Sequence, residues 1–275
     1  MIKVGYLGPA GTFTHDAALI FVKESKYELV EFSSIQELIL AVAGGEVDKA
    51  VVPMENSMEG TVNLTVDMLI HEVDLYIVGE LIIPIHHCLM AKSGMEIGDI
   101  TKVLSHPQAL AQCRKFLDGF MDGGKRQVTE STAAAAMLVM ESRKPWAAIA
   151  NHRAAEIYSL NVLKEGIQDN DDNSTRFVVL ASNRVEKTGD DKTTLAFTVN
   201  HKPGGLYQAL KIFADMDINL TKIESRPMRT LLGEYLFLVD LEGHEDEAGI
   251  GLALEQLRGQ SRFFKILGSY PKIYP

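Results

Sequence analysis

Five segments of the chain place polar side chains where a strand-like apolar run meets a helical pattern. These segments are 8–14, 55–62, 105–112, 131–136 and 169–177. They carry hydroxyls, carboxamides and one guanidinium, groups that orient a polar ligand by hydrogen bonds. The guanidinium also suits paired hydrogen bonds to a carboxylate. The sequence therefore indicates a site for a small polar ligand, assembled from several loops.

The first two segments suit binding through both backbone and side chain. Gly8 and Gly11 allow close backbone approach, and Thr12 can cap a helix whose N-terminus would favour an anion. Asn56 and Ser57 follow a strand and can hydrogen-bond a carboxylate or a hydroxyl. A Gly/Pro turn with a capping threonine also explains the first segment, and a solvated loop also explains the second.

The third segment begins a helix. Pro107 suits a first helical position, so Ser105 just before it presents a hydroxyl at a helix start. Capping alone explains Ser105. Gln108 and Gln112 lie four residues apart on one helix face, which capping does not explain.

In the last two segments, Ser131 or Thr132 stands at a helix start and Thr175 stands beside Arg176 at a strand entrance. A hydroxyl donor next to a guanidinium can address an anion that has a reactive oxygen. The alternative is that Arg176 neutralises the acidic loop 169–172. Neighbours in a strand point to opposite faces, so both side chains contact one ligand only if the strand begins after them.

Several common catalytic and cofactor sites are missing from the sequence. There is no nucleophile elbow and no Walker loop, and the glycines of residues 8–11 break the dinucleotide-binding spacing. The pair His86 and His87 has no companion ligand at metal-binding spacing. We therefore expect no metal and no cofactor.

Strand-like and helical patterns alternate up to about residue 181, which predicts an α/β fold with a mostly parallel sheet that binds ligands beyond the carboxyl ends of its strands. The predicted strands are 3–7, 28–32, 49–53, 76–83, 102–105, 147–150 and 177–181. The predicted helices are 15–23, 35–43, 62–70, 107–117, 132–140 and 153–160.

A polar stretch at 183–192 shows neither helical nor strand periodicity and predicts a linker. The order of elements after it is βαββαβ, the ferredoxin-like arrangement. We therefore divide the chain into a module at 1–182, the linker, and a second module at 193–275.

The composition excludes several classes of partner. The 275 residues include 27 Lys and Arg against 37 Asp and Glu, a net charge of -10, and no basic run could follow a phosphate backbone or an anionic membrane. No apolar segment approaches the roughly 20 residues of a membrane span. Cys88 and Cys113 are the only cysteines, which fits a reduced, cytoplasmic protein. We expect neither nucleic acid nor membrane as a partner.

Together, these segments resemble prephenate dehydratase followed by an ACT regulatory domain. The matching motifs are GPAGTF at 8–13, ENS at 55–57, SHPQ at 105–108 with Gln112 and Cys113, STA at 131–133, TRF at 175–177, GGL at 204–206 and ESRP at 224–227. The resemblance covers almost the whole chain. One departure is Gly205, where the family usually has alanine.

The resemblance implies a two-lobed catalytic module similar to type II periplasmic binding proteins, with its cleft between the lobes. One lobe would comprise residues 1–80 and 163–181, and the other residues 84–160. The implied reaction converts prephenate to phenylpyruvate, water and carbon dioxide without metal or cofactor. An arogenate dehydratase with the same fold and a non-catalytic amino-acid sensor are the alternatives.

The resemblance also implies residue roles. Thr175 would donate the proton to the leaving hydroxyl. The implied substrate-binding residues are Thr12, Asn56, Ser57, Ser105, Gln112, Thr132, Arg176 and Phe177. The implied residues for the effector, L-phenylalanine, are Gly204, Gly205, Leu206, Asn219, Leu220, Glu224 and Ser225. ACT domains pair across an interface, so a homodimer or homotetramer is expected.

Overall fold

The computed structural model describes residues 1–22, 27–120, 125–200, 202–228 and 235–273. The first lobe begins the chain with short strands alternating with helices. Its elements are β1 (Ile2–Leu7), α1 (Phe13–Phe21), β2 (Tyr27–Phe32), α2 (Ile35–Ala43), β3 (Lys49–Asn56), β4 (Gly60–Thr61), α3 (Asn63–His71) and β5 (Tyr76–Pro84). Strand β1 pairs in parallel with both β2 and β3, as the alternation predicts.

The second lobe is a separate five-stranded sheet within the described residues, with strand order β10-β6-β9-β7-β8. Its elements are β6 (Cys88–Ala91), a 3-10 helix (Ile97–Asp99), β7 (Lys102–Ser105), α4 (Pro107–Gln112), α5 (Arg114–Phe120), β8 (Lys125–Val128), α6 (Thr132–Glu141), β9 (Trp146–Ala150), α7 (His152–Ile157) and β10 (Asn161–Lys164). Strand β7 runs parallel to β8 and β9.

The chain then returns to the first lobe as β11 (Ser174–Ala181), antiparallel between β3 and β5. It therefore crosses between the lobes twice, after β5 and before β11. The two-lobed α/β arrangement implied by the resemblance is confirmed. The returning stretch starts later than expected, because β10 still belongs to the second sheet.

The C-terminal module has the predicted βαββαβ order. Its elements are β12 (Asp191–Thr198), α8 (Gly205–Asp215), β13 (Leu220–Pro227), β14 (Tyr235–Glu242), α9 (Ala248–Gln260) and β15 (Phe264–Ile273). The strands are antiparallel in the order β13-β14-β12-β15. Helices α8 and α9 bury one face of this sheet, where Phe213 and Leu257 pack with Phe197.

The other face of the C-terminal sheet is buried as well. Leu238 and Tyr270 belong to one apolar core with Leu38 of α2 and Leu69 of α3 in the first lobe. Strand β15 also pairs in parallel with β5, through residues 272 and 273. The C-terminal sheet and the first-lobe sheet therefore form one continuous sheet over the described residues.

The structure differs from the prediction at the end of the linker and in one helix. Strand β12 begins at Asp191, inside the stretch predicted as linker, and Lys192 is buried with its ammonium 2.6 Å from a carboxylate oxygen of Glu80. The helix predicted at 107–117 is interrupted at Cys113 between α4 and α5. Lys23, at the end of another predicted helix, lies outside the described residues.

Three strands of the second sheet, β6, β8 and β10, were not predicted. Each has four residues, too few to show an alternation, and β8 is a polar strand at the edge of the sheet. Among the helices of the described ranges, none is long and apolar enough to cross a membrane.

The contact between β15 and β5 predicts a steric effect at Gly268. A Cβ atom there would lie 2.2 Å from the carbonyl oxygen of Ile77. Gly268→Ala should therefore lower the free energy of unfolding by about 1–3 kcal/mol or more, as overpacking does. Urea unfolding followed by circular dichroism measures this change.

Gly259→Ala is the matched control, because a Cβ there meets nothing within 4 Å and the residue is in helix α9. Alanine favours a helix over glycine by about 1 kcal/mol, so this variant should be as stable as the wild type or more stable. Equal stabilities of the two variants would contradict the close approach of β15 to β5.

Candidate active site

A cleft of about 450 Å³ lies between the two lobes. Both lobes and the returning strand β11 contribute to its walls. It brings together six of the residues predicted to act there, which are Thr12, Asn56, Gln112, Thr132, Thr175 and Phe177. Segments that are up to 165 residues apart therefore meet in one place, as loops at strand ends are expected to do.

Helices α1 and α6 both begin at this cleft. Thr12 caps α1 by accepting from the N–H of His15, and Ser131 caps α6 by accepting from the N–H of Ala134. The first N–H groups of a helix have no partner within the helix and carry a partial positive charge. The Thr12 hydroxyl also donates to the carbonyl of Leu7, 2.8 Å away. Thr12 therefore stabilises this turn, and the N-termini of α1 and α6 favour an anion.

Neither lysine nor arginine is among the described residues that line the cleft, whereas Glu59 and Glu130 are. A lysine or arginine of this lining therefore does not pair directly with an anion, and the ammonium of Lys222 lies behind Thr61, 3.1 Å from its hydroxyl. Helix N-termini and neutral donors, which act over short distances, supply the direct contacts. The same described part of the chain holds no group of three or more His, Cys, Asp or Glu side chains placed to bind a metal.

The Thr175 hydroxyl is oriented by Asn56. The Asn56 Nδ2 atom donates to Thr175 Oγ1 and to Asn173 Oδ1, each at 2.9 Å. The Asn56 Oδ1 atom accepts from the backbone N–H groups of Met58 and Glu59, which fixes the direction of the carboxamide. Because Oγ1 accepts from Asn56, the Thr175 proton is left to donate into the cleft.

A second carboxamide, that of Gln112, is fixed in the same way. Its Oε1 accepts from Asn173 Nδ2 at 3.1 Å and from His87 Nε2 at 2.9 Å. Its Nε2 is buried and has no hydrogen-bond partner in the protein. A buried donor without a partner is costly, so Gln112 is prepared to donate to a bound ligand.

His87 helps to fix the Gln112 carboxamide by its hydrogen bond to Oε1. The ring is 2% exposed, and burial lowers the pKa of His87. The neutral ring carries its proton on Nε2, since that atom must donate to the Gln112 oxygen. Its Nδ1 is buried without a partner in the protein, and its ring packs edge-on against Phe13.

The structure does not bring three predicted residues to the cleft. The Ser105 hydroxyl is fully buried and donates to the carbonyl of Ile149 at 2.6 Å, joining β7 to β9. Ser57 accepts from the N–H of Ser174 and fixes the entrance to β11. Arg176 lies on the opposite face of β11 from Thr175, because the strand already begins at Ser174. None of these three residues lines the cleft, and their substrate contacts stay predictions.

Other residues line the cleft as well. Thr14 and His106 belong to two of the segments that the sequence indicated, whereas His87 and Glu130 were not predicted to lie there. Burial lowers the pKa of His106. His87 was considered as a metal ligand and set aside, although its place in the short loop between β5 and β6 was a signal for its role.

The predicted effector residues fall in two places. Gly204, Gly205 and Leu206 begin α8 and line a groove of about 640 Å³ with Tyr235 and Phe237. A Cβ on Gly205 would lie 2.5 Å from the carbonyl oxygen of Asn200, which explains glycine in place of the family's alanine.

The other four predicted effector residues belong to β13 or directly precede it. Asn219 and Leu220 are at its start, and Asn219 donates to Glu242. Glu224 accepts from Thr61 in the first lobe, and Ser225 is exposed. None of the four lines the groove at α8, so one chain does not bring the two sets together.

The buried His87 predicts a dependence of stability on pH. Its pKa is lowered on folding, so the unfolded chain takes up the proton first as the pH falls below about 6.5. This contribution to stability is present above that pH and is lost as the pH falls. His87→Gln keeps a donor for Gln112 without a titrating group. Its melting temperature should therefore decrease less than that of the wild type between pH 7.5 and 5.5.

The control is His152→Gln, at the exposed start of α7. This variant should follow the pH profile of the wild type. If His87→Gln loses as much stability between the two pH values as the wild type does, then His87 does not titrate in the way that its burial requires.

Comparisons with known proteins agree with this geometry. Residues 4–185 match the family model for prephenate dehydratase, and residues 193–259 match the model for the ACT domain. The chain is 42% identical over 275 residues to a prephenate dehydratase of Lactococcus lactis subsp. cremoris, covering 98% of this chain and 97% of that relative.

Two further matches extend the comparison. A bifunctional chorismate mutase/prephenate dehydratase of Aquifex aeolicus is 45% identical over 272 residues, with 98% of this chain and 74% of that protein covered. A solved structure of prephenate dehydratase from Arthrobacter aurescens in complex with L-Phe has a TM-score of 0.89 and 37% identity, covering 98% of this chain and 90% of that one. The chain belongs to the prephenate dehydratase family and carries a C-terminal ACT domain.

Proposed function

We propose that this chain converts prephenate to phenylpyruvate, with loss of water and carbon dioxide. The observation that carries the proposal is the hydroxyl of Thr175, which accepts from Asn56 and is left to donate its proton into a cleft at two helix N-termini. Relatives named prephenate dehydratase over nearly the whole chain support this reaction over an arogenate dehydratase or a non-catalytic sensor.

Prephenate carries two carboxylates, which the cleft must hold without a lining cation. The N-termini of α1 and α6 supply partial positive charge. The free Nε2 donor of Gln112 supplies a neutral hydrogen bond. One carboxylate leaves as carbon dioxide, and its electrons move into the ring as the C–O bond breaks. A fixed cation on that carboxylate would stabilise the reactant more than the transition state and would slow the step.

Thr175 is the donor to the departing oxygen. A threonine hydroxyl is a weak acid, but the N–H of Asn56 at 2.9 Å stabilises any negative charge that forms on Oγ1. The hydroxide leaves with a proton as water, and aromatisation of the ring drives the loss. Asn56 and Asn173 hold the donor in place, since orientation in a preorganised site contributes much of catalysis.

Removal of the Thr175 hydroxyl tests this mechanism. Thr175→Ala should lower kcat by about 10²–10⁴-fold while KM changes little, since a general acid acts in the transition state. Thr175→Ser keeps the hydroxyl and should retain most of the activity. Phenylpyruvate formation from prephenate, read by absorbance, measures both variants. A kcat of Thr175→Ala within threefold of wild type would remove Thr175 from the mechanism.

We also propose feedback regulation by L-phenylalanine through the C-terminal module, in a cytoplasmic homodimer or homotetramer. The two predicted effector sets lie apart within one chain, so a second copy would bring the α8 groove of one chain to β13 of the other. Exposed apolar side chains occur in this region, among them Tyr207, Ile223 and Tyr235. The modules would be residues 1–182 and 193–275, joined by the segment between them.

Gly204 provides a test of the effector site. Its φ of 79° at the start of α8 suits glycine, and so does the φ of 97° at Gly189 in the linker. Alanine is disfavoured at both positions for the same reason, and neither Cβ would meet an atom within 4 Å. Gly204→Ala should weaken inhibition by L-phenylalanine about tenfold, while Gly189→Ala should leave it unchanged.

The measurements are inhibition curves and calorimetric titration of the full chain with L-phenylalanine. Light scattering on the same samples gives the oligomeric state. Absence of both inhibition and binding in the wild type would end the regulatory proposal without affecting the proposed reaction.

A further inference from the structure

A group of charged and hydroxyl side chains is buried where the C-terminal module meets the first lobe. The exposed fractions are 8% for Arg176, 3% for Glu80, 9% for Lys192, 1% for Asp240 and 0% for Tyr270. Two positive charges face two negative charges within this group. Such burial is tolerated only when the charges are paired and hydrogen-bonded.

The guanidinium of Arg176 is held from both sides. Its Nη1 donates to Asp240 Oδ2 at 2.5 Å and its Nη2 donates to the Tyr270 hydroxyl at 2.6 Å. Its Nε lies 2.7 Å from Glu80 Oε2, an ion-pair contact outside hydrogen-bond geometry. Two of these three partners belong to the C-terminal module, on β14 and β15.

Thr194 of β12 closes these contacts into a ring. Its hydroxyl lies 2.7 Å from Asp240 Oδ1 and 2.6 Å from the Tyr270 hydroxyl. An ionised carboxylate only accepts, so Thr194 donates to Asp240 and Tyr270 donates to Thr194. Burial raises the pKa of Tyr270 far above its ordinary value, so the phenol keeps the proton that it donates. Each hydrogen bond of the ring therefore has a defined donor and a defined acceptor.

We propose that Tyr270, Thr194 and Asp240 are positioning residues for the dehydration, because they hold Arg176 and thereby aim Thr175 at the cleft. The proposal rests on the function proposed above and assigns part of the catalytic geometry to the C-terminal module. Thr175 and Arg176 are neighbours in β11, so their side chains lie on opposite faces of the strand and a shift of the backbone at one residue moves both.

Loss of the Tyr270 hydroxyl leaves Arg176 Nη2 buried without an acceptor. Loss of the Thr194 hydroxyl leaves the Tyr270 proton without its acceptor and Asp240 Oδ1 without its donor, so the two partners of Arg176 are no longer held in place. The guanidinium then has to shift toward a new partner or toward water, and β11 shifts with it. The Thr175 hydroxyl is held by a 2.9 Å hydrogen bond to Asn56, which a small displacement of the strand breaks. A displacement of about 1 Å at a reacting group lowers the rate by as much as roughly 100-fold.

Two conservative variants open the ring, and a third provides a matched control. Tyr270→Phe removes one hydroxyl, and Thr194→Val removes another without changing the side-chain shape. Thr193→Val is the control, because Thr193 is also fully buried in β12 and its hydroxyl also has two partners, Gly243 and Ser269. Those two partners are within the C-terminal module and have no role in the ring.

Steady-state turnover of prephenate is measured for the full chain at a temperature where circular dichroism shows each variant folded. Both ring variants should lower kcat by about 10- to 100-fold with KM changed by less than about threefold, and Thr193→Val should keep the kcat of wild type. Equal kcat values in all three variants, whether reduced or not, would overturn the proposal, since a general loss of stability would affect the control as well.

Hydrogen exchange followed by mass spectrometry gives a second readout that does not depend on activity. Peptides covering β11 should exchange about tenfold faster in Tyr270→Phe and Thr194→Val than in Thr193→Val. Unchanged exchange of β11 in the ring variants would refute the proposal. If the wild type does not turn over prephenate, the proposed function fails, while exchange still decides whether the ring holds β11.

Discussion

The alternation of side chains along β11 is the constraint on which the rest of the site depends. Because the strand begins at Ser174, Thr175 faces the cleft and Arg176 faces the C-terminal module. Had the strand begun two residues later, both side chains could have reached one ligand. Instead, one strand carries the proposed proton donor on one face and a buried ion-pair contact with the C-terminal module on the other. The pairing of β11 with β3 and β5 on both sides keeps this alternation in register.

The cleft shows how a protein with a net charge of -10 can hold a dianion. Bulk charge is screened over about 10 Å, whereas helix N-termini and buried donors act at contact distance. The carboxamides of Asn56 and Gln112 are each fixed by partners on their oxygen, which leaves their N–H groups pointing in one direction. Neutral donors bind a carboxylate less tightly than a cation does, and this suits a substrate that must release one carboxylate as carbon dioxide.

The sequence was sufficient for the longer elements and for the general position of the site. Helix α2 has the predicted bounds, because its apolar periodicity is long enough to be unambiguous. Side-chain direction was harder to predict. Ser105 and Arg176 have suitable chemistry and stand at strand ends, but the register of β7 and β11 turns them toward Ile149 and Asp240. Register depends on pairing between distant strands, which local pattern does not reveal.

Local pattern also predicted two modules separated by a linker, whereas the structure joins them by one sheet and by several ion pairs. One group of contacts is the ring around Arg176. Another is at β13, where Arg226 pairs with Asp67 of α3 at 2.6 Å and Glu224 hydrogen-bonds Thr61, a residue of the cleft wall. An effector acts only by binding one arrangement of the molecule better than another. A ligand that moves the C-terminal module as a body would displace the contacts of Arg176, next to Thr175, together with the contact of Glu224 with Thr61. We therefore expect these contacts to couple binding of an effector to the rate of the reaction.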